Sequence, residues 1–325
     1  MTKLRPLVFM SLCLSFVIAA SSLTALAAKP IIFVSILPQK YFVEQIAGDA
    51  VDVEVMVAPG ASPATYEPRP RQMAMLAKAD AYLAIGVPFE KTWLPRFAGA
   101  NPTLHIVSID SGLRKLPMAS SAMAAEQLAH IAHTDSSKSA HHDEAMHAAE
   151  AHGDHHHEGA LDPHVWLSPR WVKAMTKPMR LALTKVVPEQ AKQFRINTRN
   201  FTKRLDQLDE EIELLYRNIP KEKRIFMTFH PSWGYYAMTY NLIQLPIEFE
   251  GKAPTPKVLA EISQIAKEHS LHTIFVQPQF STQSAETIAH SINGNIVVAD
   301  PLAGDWEENL RTVSKKLATS FIRLN

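Results

Sequence analysis

Cysteine, basic charge and glycine-rich phosphate motifs are all scarce in this chain. The 325 residues include one cysteine, Cys13, so no disulfide can form within the chain. Lys and Arg (33) nearly equal Asp and Glu (32), so the chain has no basic surplus for binding nucleic acid. Neither GxGxxG nor GxxxxGK[ST] occurs, so the common nucleotide-binding loops are excluded as well.

Long hydrophobic runs are also missing. The most apolar stretch, Leu7–Ala20, is shorter than the ~20 residues of a membrane span. Lys3 and Arg5 precede it and Ala25-Leu26-Ala27 follows it, a pattern that predicts a cleaved secretory signal peptide over the first 27 residues. A leucine precedes Cys13, which is unfavourable for lipoprotein processing, so we expect no lipid anchor there. Cleavage would remove two basic residues and change the formal net charge from +1 to −1.

Histidine, by contrast, is concentrated in one internal segment, residues 129–160, among alanine, serine and acidic side chains. Its nine histidines are His130, His133, His141, His142, His147, His152, His155, His156 and His157. Neutral imidazole binds borderline metals such as zinc, and the interleaved carboxylates add oxygen donors. Few large apolar side chains are present, which predicts a disordered insertion that captures metal weakly. A solvated linker without a metal function is the alternative.

The rest of the chain alternates short β-rich runs with helical patterns, which predicts parallel α/β units. Predicted strands lie at 31–36, 51–57, 81–85, 103–109, 224–229, 242–247, 273–276 and 295–298. Predicted helices lie at 39–47, 70–78, 256–269, 282–291 and from about Trp306. The segment Ile32–Pro38 also resembles Ile225–Pro231 at an offset of 193 residues. The repeated order favours two similarly built lobes.

A long amphipathic helix is predicted from about Pro188 to Asn218, between the two halves. Its apolar side chains recur at alternating steps of four and three residues: Phe194, Thr198, Phe201, Leu205, Leu208, Ile212, Leu215 and Ile219. The helix would be roughly 45 Å long. Such a seam fits either a coiled-coil dimer or a helix that lies along both lobes and joins them, and we favour the second.

Three motifs carry side chains suited to metal binding. His164 lies in Asp162–Pro169, His230 follows a predicted strand, and Asp300 follows the last predicted strand. Loops after the carboxyl ends of parallel strands border the crevices in which ligands bind. A single residue of this kind is more often structural, so the interpretation depends on their joint placement.

The ordered set of motifs resembles the periplasmic solute-binding proteins of zinc and manganese ABC importers, the ZnuA/TroA-like family. The matching segments are Pro59–Pro68, Asp162–Pro169, Phe229–Pro231, Phe275–Phe280 and Asp300–Leu302. The resemblance implies an α/β fold of two Rossmann-like lobes joined by a single long backbone helix, with a metal cleft between the lobes. The predicted division is a signal peptide (1–27), an N-terminal lobe (28–169, including the insertion 129–160), a linking helical segment (170–220) and a C-terminal lobe (221–325).

The same resemblance implies that His164, His230 and Asp300 are metal ligands. The family usually has a histidine where this chain has Ala64, which cannot coordinate a metal. Three alternatives would complete the site: water, a histidine of the insertion (His155, His156 or His157), or Glu67. We rank them in that order. Loss of tight binding is a further alternative.

The predicted function is capture of Zn²⁺ in the periplasm and its delivery to the membrane permease and ATPase of an ABC importer. Zinc is the cargo, and the protein is expected to be a monomer with no enzymatic activity and no nucleic-acid partner. The alternatives are Mn²⁺ or Fe²⁺ as cargo, a zinc store or chaperone acting through the histidine-rich insertion, and a zinc enzyme with Glu67 or Glu248 as base.

Overall fold

The computed structural model describes residues 28–137, 160–248, 252, 254–280 and 283–322. The predicted signal peptide, the histidines from His141 to His157 and the short gaps after residue 248 lie outside these ranges. Among the described helices, none has both the length and the apolar character needed to cross a bilayer.

The N-terminal half folds into a four-stranded parallel sheet flanked by helices. In chain order its elements are β1 (Ile31–Val34), α1 (Leu37–Ala47), β2 (Asp52–Val55), α2 (Pro70–Leu76), β3 (Ala81–Ala84), α3 (Pro88–Ala100) and β4 (His105–Ser108). The strand order is β2-β1-β3-β4, and every neighbouring pair is parallel. Parallel neighbours require crossover connections, and the intervening helices provide them.

Three helices then precede the second sheet: α4 (Ser121–Ser137), α5 (Pro169–Val186) and α6 (Ala191–Tyr216). The second half contains β5 (Ile225–Thr228), α7 (Gly234–Tyr240), β6 (Ile243–Pro246), α8 (Pro256–Glu268), β7 (Thr273–Val276), α9 (Gln283–Ser291), β8 (Asn295–Val298) and α10 (Trp306–Ile322). Its strand order, β6-β5-β7-β8, repeats that of the first sheet. The similar segments Ile32–Pro38 and Ile225–Pro231 therefore occupy equivalent positions, β1 and β5, which agrees with the predicted pair of lobes.

Helix α6 joins the two lobes through the predicted seam. Phe194, Phe201, Leu205, Leu208 and Ile212 are buried in a core cluster that also contains side chains of both sheets. The helix contacts α1 and α5, and also α7 and α10. Because this chain itself covers the seam, the seam is not left free for a coiled-coil dimer. The helix starts after a short 3₁₀ turn at Pro188–Gln190 and ends at Tyr216, close to the predicted bounds.

The C-terminal sheet lies between two apolar clusters because successive strand side chains point to opposite faces. Phe226 and Phe275 face the cluster shared with α6. Ile225 and Met227 face a second cluster, which α8 and α9 help to form. Two-sided burial of this kind is typical of a parallel sheet.

Helix α4 differs from the sequence-based expectation in two ways. It lies within the predicted N-terminal range, but it contacts β6, and its Ala124 and Leu128 belong to the second apolar cluster. It also continues to Ser137, so residues 129–137 of the insertion are helical where disorder was predicted. Alanine has the highest helix propensity, and docking of Ala124 and Leu128 on the sheet stabilises the turns that precede the insertion.

A buried carboxyl group, that of Glu90, lies at the start of α3. Glu90, in the first turn of α3, accepts hydrogen bonds from the backbone N–H groups of Ile85 (3.0 Å) and Gly86 (2.7 Å) and from the hydroxyl of Ser35. Ser35 is also hydrogen-bonded to Tyr82, at 2.7 Å. Burial is the main cause that raises the pKa of Glu90 to about 7, while the donated hydrogen bonds oppose the rise.

Candidate metal centre

The predicted ligands His164 and His230 lie side by side. Their ring centroids are 5.4 Å apart and the ring planes are inclined at 73°. Two imidazoles bonded to one tetrahedral zinc ion, at ~2.0–2.1 Å each, would have their centroids ~5 Å apart. The separation of the two rings therefore suits a single shared ion.

His164 is held by the turn that precedes α5. Asp162 Oδ1 accepts hydrogen bonds from the His164 backbone N–H (2.8 Å) and from its Nδ1 (2.7 Å). A carboxylate only accepts, so Nδ1 carries the hydrogen and Nε2 keeps its lone pair. Burial is the main cause of a lowered pKa for His164, which favours the neutral, ligand-competent imidazole.

His230 has an equivalent arrangement immediately after β5. Its Nδ1 lies 2.7 Å from Glu248 Oε2, and the Glu248 side chain is only 3% exposed. The ring also stacks on Phe280, with centroids 4.9 Å apart and an interplanar angle of 24°. The hydrogen bond and the stacking restrict rotation of the imidazole and leave its Nε2 available.

The partners of the histidines were not identified from the sequence. Asp162 was part of a motif without an assigned role, and Glu248 was considered only as a possible base. Glu248 follows β6, and β6 pairs with β5, which His230 follows. An acidic residue after the strand adjacent to a histidine-bearing strand is the signal that would have identified it.

The two histidines line a cavity of about 640 Å³. Its other lining residues come mainly from loops that follow strands of both sheets: Ser62, Pro63, Ala64, Thr65, Val87, Pro88, Met118, Ala160, Pro163, Trp166, Gln277, Gln279, Phe280, Pro301 and Leu302. The cavity thus borders the carboxyl ends of the strands, where open α/β sheets bind ligands. Ala64 lies on this lining, and no donor atom replaces the missing histidine at that position.

Asp300 does not belong to the lining of this cavity. Its Oδ1 accepts hydrogen bonds from Gln279 Nε2 (2.8 Å) and the Leu302 backbone N–H (2.9 Å). The residue lines a neighbouring pocket of about 270 Å³, and Gln279 and Leu302 line both spaces. Across the described part of the chain, no group of three or more His, Cys, Asp or Glu side chains is placed to hold a metal. The role of Asp300 as a ligand therefore stays a prediction.

Of the auxiliary ligands considered from the sequence, only Glu67 lies in the described part of the chain. Glu67 is exposed and does not line the cavity. His155, His156 and His157 lie outside the described residues. The end of the insertion at Ala160 lies at the cavity, because Met118 donates a backbone hydrogen bond to Ala160 O at 2.9 Å and both residues are part of the lining.

Two tryptophans connect the loop of His164 to the loop of Asp300. Trp166 Nε1 donates to Pro301 O at 2.7 Å, and Trp306 Nε1 donates to Trp166 O at 2.8 Å. Both hydrogen bonds lie inside the protein, since Trp166 and Trp306 are each 1% exposed. This chain of buried hydrogen bonds holds the two loops in register.

Comparison with known proteins gives one consistent family. A family profile described as "ZnuA: Zinc-uptake complex component A periplasmic" matches residues 32–320. A crystal structure of ZnuA is 35% identical with a TM-score of 0.75, over 90% of this chain and 99% of that one. The high-affinity zinc uptake system protein ZnuA of Bacillus subtilis is 28% identical over 271 residues, 82% of this chain and 76% of its own length.

A longer relative matches over only part of its length. The zinc-binding protein AdcA of Streptococcus pyogenes is 27% identical over 278 residues, 84% of this chain. The chain spans about half (50%) of the length of that relative. Because the profile covers most of the chain and the ZnuA structure shares its fold, the chain belongs to the family of periplasmic A components of zinc-uptake complexes.

Proposed function

We propose that the chain is a periplasmic protein that captures Zn²⁺ in the cleft and delivers it to the permease and ATPase of an ABC importer. The observation that carries the proposal is the pair His164 and His230, each with Nδ1 bonded to a buried carboxylate. That arrangement leaves the Nε2 atom of each ring for the metal and places carboxylate groups behind the two rings. Zinc-binding relatives of the same family support zinc as the cargo.

The proposal gives the remaining predicted elements defined roles. Asp300 is the third ligand, water fills the fourth position that Ala64 leaves open, and the histidine-rich insertion gathers metal for the site. Glu248 acts by orienting His230, so the proposal assigns it no role as a base, and the protein is a carrier without catalysis. We propose a monomer, because α6 buries its apolar seam within the chain. The first 27 residues direct export.

Zinc titration with a competing chelator tests the proposal. We expect the insertion to bind metal independently of the cleft, so its histidines are replaced in the parent protein for this test. The parent is a full-length variant with serine at seven positions: His141, His142, His147, His152, His155, His156 and His157. We call it the tract-serine variant. In this background, His164→Ala and His230→Ala should each weaken zinc binding by more than ~100-fold, since each removes a ligand outright.

His290→Ala is the matched control, because His290 is an exposed histidine on α9. It should leave the affinity unchanged. If His164→Ala binds zinc as tightly as its parent, the cleft assignment is wrong. If the tract-serine variant binds no zinc while His164→Ala in the natural sequence does, the insertion is the site and the protein is a store. Tighter binding of Mn²⁺ than Zn²⁺ by the tract-serine variant would change the cargo.

A further inference from the structure

The helix pair α5 and α6 separates its charges along the chain. Residues 169–205, from the start of α5 to the middle of α6, contain ten basic residues and one acidic residue, Glu189. The next eleven residues of α6, 206–216, contain five acidic residues and no basic residue. Since Lys and Arg (33) and Asp and Glu (32) nearly balance over the whole chain, basic charge is concentrated on this pair of helices.

Carboxylates neutralise little of this basic charge. Arg170, Lys173 and Arg204 form salt bridges, at 2.8, 2.6 and 3.6 Å. Lys185 lies 3.4 Å from the imidazole Nδ1 of His105. The remaining six, which we call the basic face, form no salt bridge with any residue in the described part of the chain: Lys177, Arg180, Lys192, Arg195, Arg199 and Lys203.

The six side chains share one solvent-facing surface. Their members on α6 recur at steps of three, four and four residues, so they follow one face of the helix over about 16 Å. Helix α5 packs antiparallel beside them, because Arg170 bonds to Asp209 and Lys173 bonds to Asp206. That register brings the basic turns of α5 next to those of α6. Five of the six side chains are exposed, and Arg180 is partly buried.

Helix stability does not explain this distribution of charge. The N-terminus of a helix favours acidic residues and its C-terminus favours basic ones, yet α6 has Lys192 in its first turn and Glu213 in its last. Arg195, Arg199 and Lys203 follow one another at four-residue spacing, and like charges at that spacing destabilise a helix. A negatively charged partner outside the chain would offset both effects.

Two large apolar side chains are exposed among the basic ones. Leu181, which follows Arg180, is 51% exposed, and Ile196, which follows Arg195, is 42% exposed. Basic side chains around exposed leucine or isoleucine are typical of helices that lie on a membrane, where the charges meet lipid phosphates and the apolar groups enter the headgroup boundary. Lipid headgroups move laterally and adjust to two rows of charge, so they need no fixed register. These features favour an anionic lipid surface over an acidic protein.

We propose that the basic face docks the protein on a membrane surface that contains anionic phospholipids. The lysine and arginine side chains contact lipid phosphates, and Leu181 and Ile196 enter the headgroup region. None of the eight residues lines the cleft cavity, so docking requires no metal and leaves His164 and His230 free to bind it. The protein is thereby held at a membrane, which is where a permease would receive its cargo.

Sedimentation with lipid vesicles tests the inference, with the tract-serine variant as the parent protein, expressed from its full sequence and purified from the periplasm. The parent should sediment with vesicles made of equal parts phosphatidylcholine and phosphatidylglycerol, and it should stay in solution with phosphatidylcholine alone. About 1 M NaCl should release most of the bound protein, since the Debye length falls to about 3 Å.

Two sets of four substitutions separate the basic face from the total charge. Each Lys or Arg near an anionic membrane contributes about fivefold to binding, so the first set should weaken vesicle binding by more than about 100-fold and leave the zinc affinity unchanged. This face variant combines Lys177→Gln, Arg195→Gln, Arg199→Gln and Lys203→Gln. The matched control removes the same charge from exposed lysines elsewhere and should bind vesicles like the parent: Lys78→Gln, Lys91→Gln, Lys267→Gln and Lys315→Gln.

A third variant tests the apolar contact. Leu181→Ser combined with Ile196→Ser should weaken vesicle binding severalfold, and unchanged binding would contradict entry into the headgroup region. Circular dichroism of each variant checks that the fold is retained.

Three results would overturn the inference while zinc capture, measured separately by chelator competition, stands. The parent binds both kinds of vesicle equally or neither of them, or the face variant and its control bind alike. In the third, the parent ignores the vesicles but binds its permease in nanodiscs of phosphatidylcholine alone, and the face variant does not, which would make the basic face a protein-docking surface.

Discussion

The hydrogen bond between Glu248 and His230 should account for a measurable part of the zinc affinity. Glu248 is 3% exposed, and its Oε2 lies 2.7 Å from His230 Nδ1. Hydrogen bonds that involve a charged group contribute about 1.5–3 kcal/mol. At 1.4 kcal/mol for each factor of ten, Glu248→Ala should weaken zinc binding by about 10- to 150-fold. This range agrees with the losses of about 10- to 100-fold in metal affinity that are typical when the hydrogen-bond partner of a metal-binding histidine is removed.

Competition with a chromophoric chelator, on the tract-serine variant, measures this effect at the cleft alone. Glu248→Gln is the matched variant, because its amide oxygen can still accept from Nδ1 while the negative charge is lost. It should therefore lose less affinity than Glu248→Ala. Thermal unfolding of both variants controls for a general loss of structure. The reasoning is refuted if Glu248→Ala binds zinc as tightly as its parent while His230→Ala does not.

Three further predictions concern stability and the geometry of the turn at His164. Because the pKa of Glu90 is raised to about 7, the unfolding free energy should fall by about 3 kcal/mol as the pH rises from 4.5 to 7. Glu90→Gln should lose this dependence on pH. Urea denaturation measures it, and parallel pH profiles of the parent protein and Glu90→Gln would contradict the prediction. Phe201→Ala, at a position 0% exposed on α6, should cost about 3–5 kcal/mol by the same assay, whereas the exposed Lys203→Ala should cost little. A Cβ at Gly234 would lie 2.6 Å from Asp162 Oδ2, so Gly234→Ala should displace the Asp162 carboxylate. The displacement should weaken zinc binding severalfold. Unchanged binding in the chelator assay would show that Asp162 is not needed.

The elements were largely predictable because their signals are local. The seam from Phe194 to Ile219 has helical spacing, and each β-rich run is bounded by breakers, so α6 and the eight described strands were expected close to where they lie. Helix α4 lies within the range 28–169 predicted for the N-terminal lobe, but it docks on β6, because Ala124 and Leu128 meet a sheet that forms much later in the chain. Proximity in sequence does not determine which of two similar sheets a short apolar face will cover.

The candidate site was only partly predictable for a related reason. The motifs identified His164 and His230, but the pairing of His230 with Glu248 depends on the adjacency of β5 and β6. The orientation of Asp300 depends on Gln279 and Leu302, which both donate hydrogen bonds to its Oδ1 and hold the carboxylate beside the neighbouring pocket. Neither contact leaves a periodic or compositional trace in the sequence.

The sequence by itself determined the alternating α/β order, the amphipathic linking helix, the histidine-rich insertion and the absence of a donor at Ala64. These properties depend on residue type and spacing, which act over one or two turns of chain. Only the tertiary structure decided which side chains meet in the cleft, how much space surrounds them, and which carboxylates support the two histidines. Such contacts join residues far apart in the chain, and they are set by the packing of two sheets around α6.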